Sequence, residues 1–209
     1  MVPLIVSFPP GASGRFISTI CHLIMHDNNR EVYWTEDNTA HNFTDILKRC
    51  YWKNAPKDLE QDNHFIHRDI IYEYLHLDSG TVFPTHAYPN FELVFNRIPD
   101  AKIIIIGFTK DDIKEIVLNG LIKNKPTEPH NETLFFLRRR NYHDLIVPEV
   151  YKKNVQIIMY NELFEPVNNS FVALEKISSF LNYNINEVIL KNYKLYVDGR
   201  AEFLKKHAG

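Results

Sequence analysis

The sequence predicts an α/β fold, a three-layer sandwich with a mainly parallel central sheet, and two observations carry that expectation. Short, nearly continuous apolar runs recur along the chain, and amphipathic helical patterns fall between them. Such runs suit strands buried on both faces, and strands that alternate with helices need crossover connections, hence parallel pairing. The 209 residues contain no internal repeat, low-complexity segment or linker, so the chain reads as one domain, 1–209.

The elements follow in order. Leu4-Ile5-Val6-Ser7-Phe8 is a buried strand stopped by Pro9-Pro10-Gly11. From Ser13 the apolar residues Phe16, Ile17, Ile20, Leu23 and Ile24 mark one face of a helix that Asp27-Asn28-Asn29 closes. Helical patterns run through Phe43, Ile46, Leu47, Cys50 and Tyr51, and again through Ile70, Ile71, Tyr74 and Leu75. Thr81-Val82-Phe83 is a short strand ending at Pro84-Thr85-His86. Residues 101–108, with four consecutive isoleucines from Ile103 to Ile106, give the strongest central-strand signal. Thr109 to Asp112 is a helix start with an acidic first turn, continued by Ile113, Ile116, Val117 and Leu121. A helix-like stretch, 132–144, carries Arg138-Arg139-Arg140. A buried strand at 155–160 precedes a helix through Phe171, Leu174, Ile177, Phe180 and Leu181, and Glu187 to Tyr196 forms a last helix.

Composition narrows the class. A hydrophobic fraction of 44% supports one sizeable core, and a net charge of −2 gives no basic field for nucleic acid or an anionic membrane surface. Cys21 and Cys50 fall on apolar helical faces and read as buried thiols, neither a disulfide framework nor a zinc site. The amino terminus lacks a basic n-region, and no apolar run reaches the ~18 residues of a membrane span. A cytoplasmic location is expected, with the sequons at Asn42, Asn131 and Asn168 as chance matches.

The chemistry lies in Pro9-Pro10-Gly11-Ala12-Ser13-Gly14-Arg15-Phe16. Small residues let backbone amides approach an anion, and the helix that follows directs unpaired amides and its positive dipole end at the same point. Ser13 can donate a hydroxyl, and Arg15 can fork onto phosphate or sulfate oxygens. The competing reading is an ordinary strand-to-helix turn in which Gly11 and Gly14 permit tight packing. A Walker A loop needs Gly at position 9, Lys at 15 and Ser or Thr at 16, where this chain has Pro9, Arg15 and Phe16. The missing hydroxyl removes the usual magnesium ligand of kinases and GTPases, and no metal site is expected.

With these features the chain resembles the P-loop-type, 3′-phosphoadenosine 5′-phosphosulfate-dependent sulfotransferases, as a divergent member. Residues 7–16 resemble the family's 5′-phosphosulfate loop, whose Ser-Gly pair opens a helix. Thr85-His86-Ala87-Tyr88-Pro89 resembles the Thr-His-x-x-Pro segment whose histidine is a general base. Residues 101–112 resemble the strand and turn leading to the 3′-phosphate site, and residues 159–166 the family's Tyr-Glu-Asp segment. The resemblance implies a nucleotide-binding fold and a phosphosulfate donor, with a small-molecule or carbohydrate acceptor carrying a hydroxyl or amine. It implies catalytic roles for His86 and Arg15, and donor binding by Pro10, Gly11, Ala12, Ser13, Gly14, Arg15 and Phe16. Where the family places an Arg and a Ser for the 3′-phosphate, this sequence has Phe108 and Ile116, so Lys110, Arg138 to Arg140 or Arg200 would have to substitute. Gly199-Arg200 is similar to the family's glycine-containing 3′-phosphate loop.

The arginine run also fits a solvated helix face, and Trp34, Trp52, Tyr72 and Tyr74 fit core or lid positions. Two other functions stay open: a non-catalytic anion- or nucleotide-binding relative, and an atypical ATP-dependent phosphotransferase.

Overall fold

The computed structural model of the chain describes residues 3–9, 11–26, 29, 82–85, 88–116 and 145–207. Four strands form one sheet: β1 (Leu4–Ser7), β2 (Val82–Thr85), β3 (Lys102–Gly107) and β4 (Val155–Met159). Their spatial order is β2-β1-β3-β4, and every pairing is parallel. The α/β class expected from the alternating pattern is therefore present.

Burial explains which runs lie where. Leu4, Ile5 and Val6 in β1 and Ile103 to Ile106 in β3 are at most 2% exposed, as central strands require. Along β4 only Ile158 is fully buried. Among the described strands β4 lies at an edge of the sheet, which tolerates Gln156 and leaves this run less buried than its apolar sequence suggests.

The register brings the carboxyl ends of the strands to one edge. Ser7 lies opposite Thr85 and Ile105, and Gly107 opposite Met159. From β1 the chain goes to β2 on one side, then to β3 on the other, so the order of strands reverses between β1 and β3. In open parallel sheets the crevice outside the carboxyl ends at such a reversal is the usual ligand position. The segments leaving β1 and β3 flank it.

Helix α1 (Gly14–His26) starts and ends where the periodicity predicts. The expected start after β3 is also present: the Thr109 N–H and hydroxyl both donate to Asp112 Oδ2, at 2.6 and 2.9 Å, and a helical turn follows at 113–116. Three features were not anticipated. Helix α2 (Phe91–Arg97) is capped by Asn90, whose Oδ1 accepts the Leu93 N–H at 3.1 Å, and it buries Phe91, Val94 and Phe95. A hairpin of β5 (Pro166–Val167) and β6 (Ser170–Phe171) turns at Asn168 and Asn169, φ 45° and 68°, both in the left-handed region that asparagine tolerates. Third, after the anticipated helix α3 (Val172–Leu181), helix α4 (Glu187–His207) runs well past Tyr196.

The length of α4 corrects the reading of Gly199-Arg200 as a loop: both residues are helical. A helix-interior glycine costs about 1 kcal/mol relative to alanine. Burial of Ile189, Tyr193, Tyr196 and Arg200 along one face outweighs it. The patterns predicted over 43–51, 70–75 and 132–144 lie outside the described residues, as do Cys50, Trp34, Trp52, Tyr72 and Tyr74. Among the described residues, no helix is long and apolar enough to cross a membrane.

Candidate anion site at the carboxyl edge of the sheet

The loop after β1 is shaped by its two glycines for different reasons. Gly11 has φ 85°, in the left-handed region, and the Ala12 N–H closes the turn onto the Pro9 carbonyl at 3.1 Å. Gly14 is required by packing. A Cβ there would lie 1.8–2.2 Å from the Phe8 ring. The tight-turn reading of Gly14 therefore has a concrete basis.

Ser13, immediately before α1, has φ 57°, rare for a residue with a Cβ. The chain thus enters α1 abruptly, and the Ile17 N–H makes the first helical bond to the Ser13 carbonyl at 3.1 Å. The first turn of α1 contains no acidic residue and carries Arg15. A cation in the first turn opposes the helix macrodipole, where an acid would complement it. The positive end of α1 and the Arg15 charge reinforce each other at the β1–β3 reversal. Gly11 and Arg15 are half-buried, whereas Ala12, Ser13, Gly14 and Phe16 are buried.

Phe16, proposed to bind the donor, directs its ring into the core. The ring stacks on Tyr196 at 3.7 Å between centroids, 7° between planes, and meets Tyr193 edge-on at 4.7 Å. The ring is 0% exposed and so does not face a ligand. Helix α4 lies against this loop: the Tyr196 hydroxyl donates to Ser13 Oγ at 3.0 Å, and the Tyr193 hydroxyl donates to the Leu163 carbonyl at 2.9 Å. Burial pushes the Tyr196 phenol up to about 12 and the Tyr193 phenol well above its ordinary value, so both are neutral donors.

Arg200 lies one turn beyond Tyr196 on the same face. Its guanidinium pairs with Glu115, donates to the Tyr160 hydroxyl, and stacks over the Phe164 ring at 3.6 Å. Burial draws it down to about 9, which leaves it protonated at neutral pH beside the Glu115 carboxylate. Its Nε is buried with no hydrogen-bond partner among the described residues. These contacts place Arg200 at the end of the sheet where β3 and β4 finish. Its described partners are protein groups.

Phe108 and Ile116, at the positions where a 3′-phosphate clamp was sought, are both 0% exposed and part of the core. Lys110 is exposed on the turn between them. The loop residues from Gly11 to Phe16 are contiguous around one point, while Arg200 reaches the same edge from the far end of the chain. Pro10, His86 and Arg138 to Arg140 lie outside the described residues. Sequence reasoning missed Glu115, Tyr160 and Tyr196. The spacing of Tyr193, Tyr196 and Arg200 on one helical face was the available signal, obscured by ending the helix too early.

Comparison with protein-family models gives no matching family, and comparison with curated proteins gives no match.

Proposed function

We propose that this chain is a sulfotransferase-like protein with a P-loop-type sandwich, moving a sulfuryl group from 3′-phosphoadenosine 5′-phosphosulfate to a hydroxyl or amine. The single observation that carries the reading is the loop from Gly11 to Phe16. It opens α1 at the strand-order reversal, with left-handed Gly11 and Ser13 and with Arg15 in a first turn that lacks any acid. A positive helix end with an added arginine attracts an anion.

In this reading the loop amides and Arg15 hold the oxygens around the phosphosulfate bridge. The acceptor oxygen or nitrogen attacks sulfur in line, the bond from sulfur to the bridging oxygen breaks, and negative charge collects on the leaving phosphate. Arg15 and the amides stabilise that charge. His86, adjoining the end of β2, takes the acceptor's proton. Tyr196 donates to Ser13 Oγ, so the Ser13 hydrogen remains available to the anion. Arg200 reaches the donor's second phosphate by exchanging Glu115 for it.

A second reading is favoured by Phe108 and Ile116: a non-catalytic relative that binds an anion or nucleotide without the full donor clamp. Isothermal titration with 3′,5′-adenosine bisphosphate separates the two. Saturable binding supports the donor assignment. Binding of inorganic phosphate or sulfate alone supports the second reading, and no binding of the bisphosphate at millimolar concentration sinks the first.

A further inference from the structure

We propose that His22 and His26, on α1 away from the loop, form a chelating pair for a borderline-soft divalent ion such as Zn2+ or Ni2+. The two residues are four apart on one helix, so their side chains share a face. Their ring centroids are 4.7 Å apart with 31° between the planes.

That separation fits two imidazoles on one ion. A metal–nitrogen bond of about 2.0–2.1 Å, plus about 1.1 Å from ring nitrogen to ring centre, puts each centroid ~3.2 Å from the metal. Two such arms with their ends 4.7 Å apart enclose an angle of about 95°. This lies between the right angle of octahedral coordination and the wider tetrahedral angle. His26 is exposed and His22 half-buried, so an ion can enter from solvent. Each imidazole has two nitrogens, and one can ligate while the other keeps a hydrogen bond.

The location favours a cation. His26 is the last residue of α1, where the negative end of the helix dipole attracts positive charge. Among the described residues there is no group of three or more His, Cys, Asp or Glu that could hold a metal, so the proposed site is a two-imidazole chelate. A nitrogen-only pair selects Zn2+, Ni2+ or Cu2+ and discriminates against Mg2+ and Ca2+, which prefer oxygen. Because the chelate spans one helical turn, the ion binds the folded helix and stabilises it by linkage. About 12 Å of helix, at 1.5 Å per residue, separates His22 from Gly14, so this site is distinct from the anion loop.

The test titrates the full chain with ZnCl2, and separately NiCl2, by calorimetry and by thermal melting, with MgCl2 as control. Ten histidines are present in the chain, so the pair is identified by difference. His26→Ala should remove one binding equivalent or weaken it at least about tenfold. It should abolish the metal-dependent rise in Tm. His26→Gln, which keeps side-chain bulk but ligates poorly, should do the same. A titration unchanged in either variant, or no Zn2+ or Ni2+ binding at all, would show a stacked pair only and overturn the proposal.

Discussion

The segments that leave β1 and β3 flank one crevice, yet they use their polar groups in opposite ways. After β1, the backbone passes through Gly11 and Ser13 at positive φ and enters α1 with a cation and no acid in its first turn. After β3, the Thr109 amide and hydroxyl are both satisfied by Asp112, and Phe108 and Ile116 are sealed in the core. One helix start carries a cation and no acid in its first turn, and the other is closed by its own acid. The contrast teaches that two helix starts at one sheet edge can carry opposite charge. Two strands of similar burial can feed loops of quite different chemical purpose.

The contrast is broken most severely at Gly14. A Cβ at 1.8–2.2 Å from the Phe8 ring forces backbone or ring to move. Gly14→Ala should therefore destabilise the fold by roughly 3 kcal/mol, an overpacking cost measurable by urea denaturation. Stability within ~0.5 kcal/mol of wild type would mean that this packing is not real in solution.

Arg200 links the two segments through α4. Glu115→Gln leaves a buried guanidinium with the Tyr160 hydroxyl and the Phe164 face as its remaining described partners. Glu115 is 39% exposed at its side chain, so solvent moderates the loss. The expected cost is about 1–2 kcal/mol, read from the denaturation midpoint at constant m.

Tyr196→Phe keeps the stacking on Phe16 and removes only the hydrogen bond to Ser13, which should cost about 1 kcal/mol. It also carries a pH signature. The folded Tyr196 phenol is raised from 10 to about 12, so between these values the folded chain keeps a proton that the unfolded chain has lost. The contribution of Tyr196 is full below pH 10 and is lost as pH rises towards 12. Arg200, lowered from 12.5 to about 9, works in the opposite direction across that range. The clean readout is therefore the difference between wild type and Tyr196→Phe: the variant should lose less stability between pH 10 and 12.

The smallest effect belongs to the closed helix start. Asp112→Ala should cost about 0.5–1 kcal/mol, as loss of a capping interaction does, without altering anion binding at the other loop. A loss of anion affinity in this variant would erase the distinction between the two segments.

The central strands were readable because burial on both faces leaves an unbroken apolar signature, as Leu4 to Val6 and Ile103 to Ile106 show. The loop was readable because glycine at a strand-to-helix junction permits the left-handed turn that Gly11 makes. Helix α2 was missed although Asn90 caps it and Phe91, Val94 and Phe95 have helical spacing. Seven residues give too short a period to stand out from neighbouring prolines. The Asn168-Asn169 hairpin was hidden because its strands are two residues each. The end of α4 was misjudged because Gly199 looks like a breaker, whereas the buried face of Tyr193, Tyr196 and Arg200 carries the helix through it. Arg200 itself was legible as a charge near the site, but its partner Glu115 lies 85 positions away in sequence, and no local pattern announces such a pair.

The central claim is that the loop from Gly11 to Phe16 receives the donor's phosphosulfate end. Backbone amide NMR of the labelled chain during titration with 3′,5′-adenosine bisphosphate tests it most directly. The account predicts saturable shifts that are largest at Gly11, Ser13, Gly14, Arg15 and Phe16, and weakened in Arg15→Ala. Saturable shifts confined to other parts of the chain, or none at millimolar ligand, would contradict it.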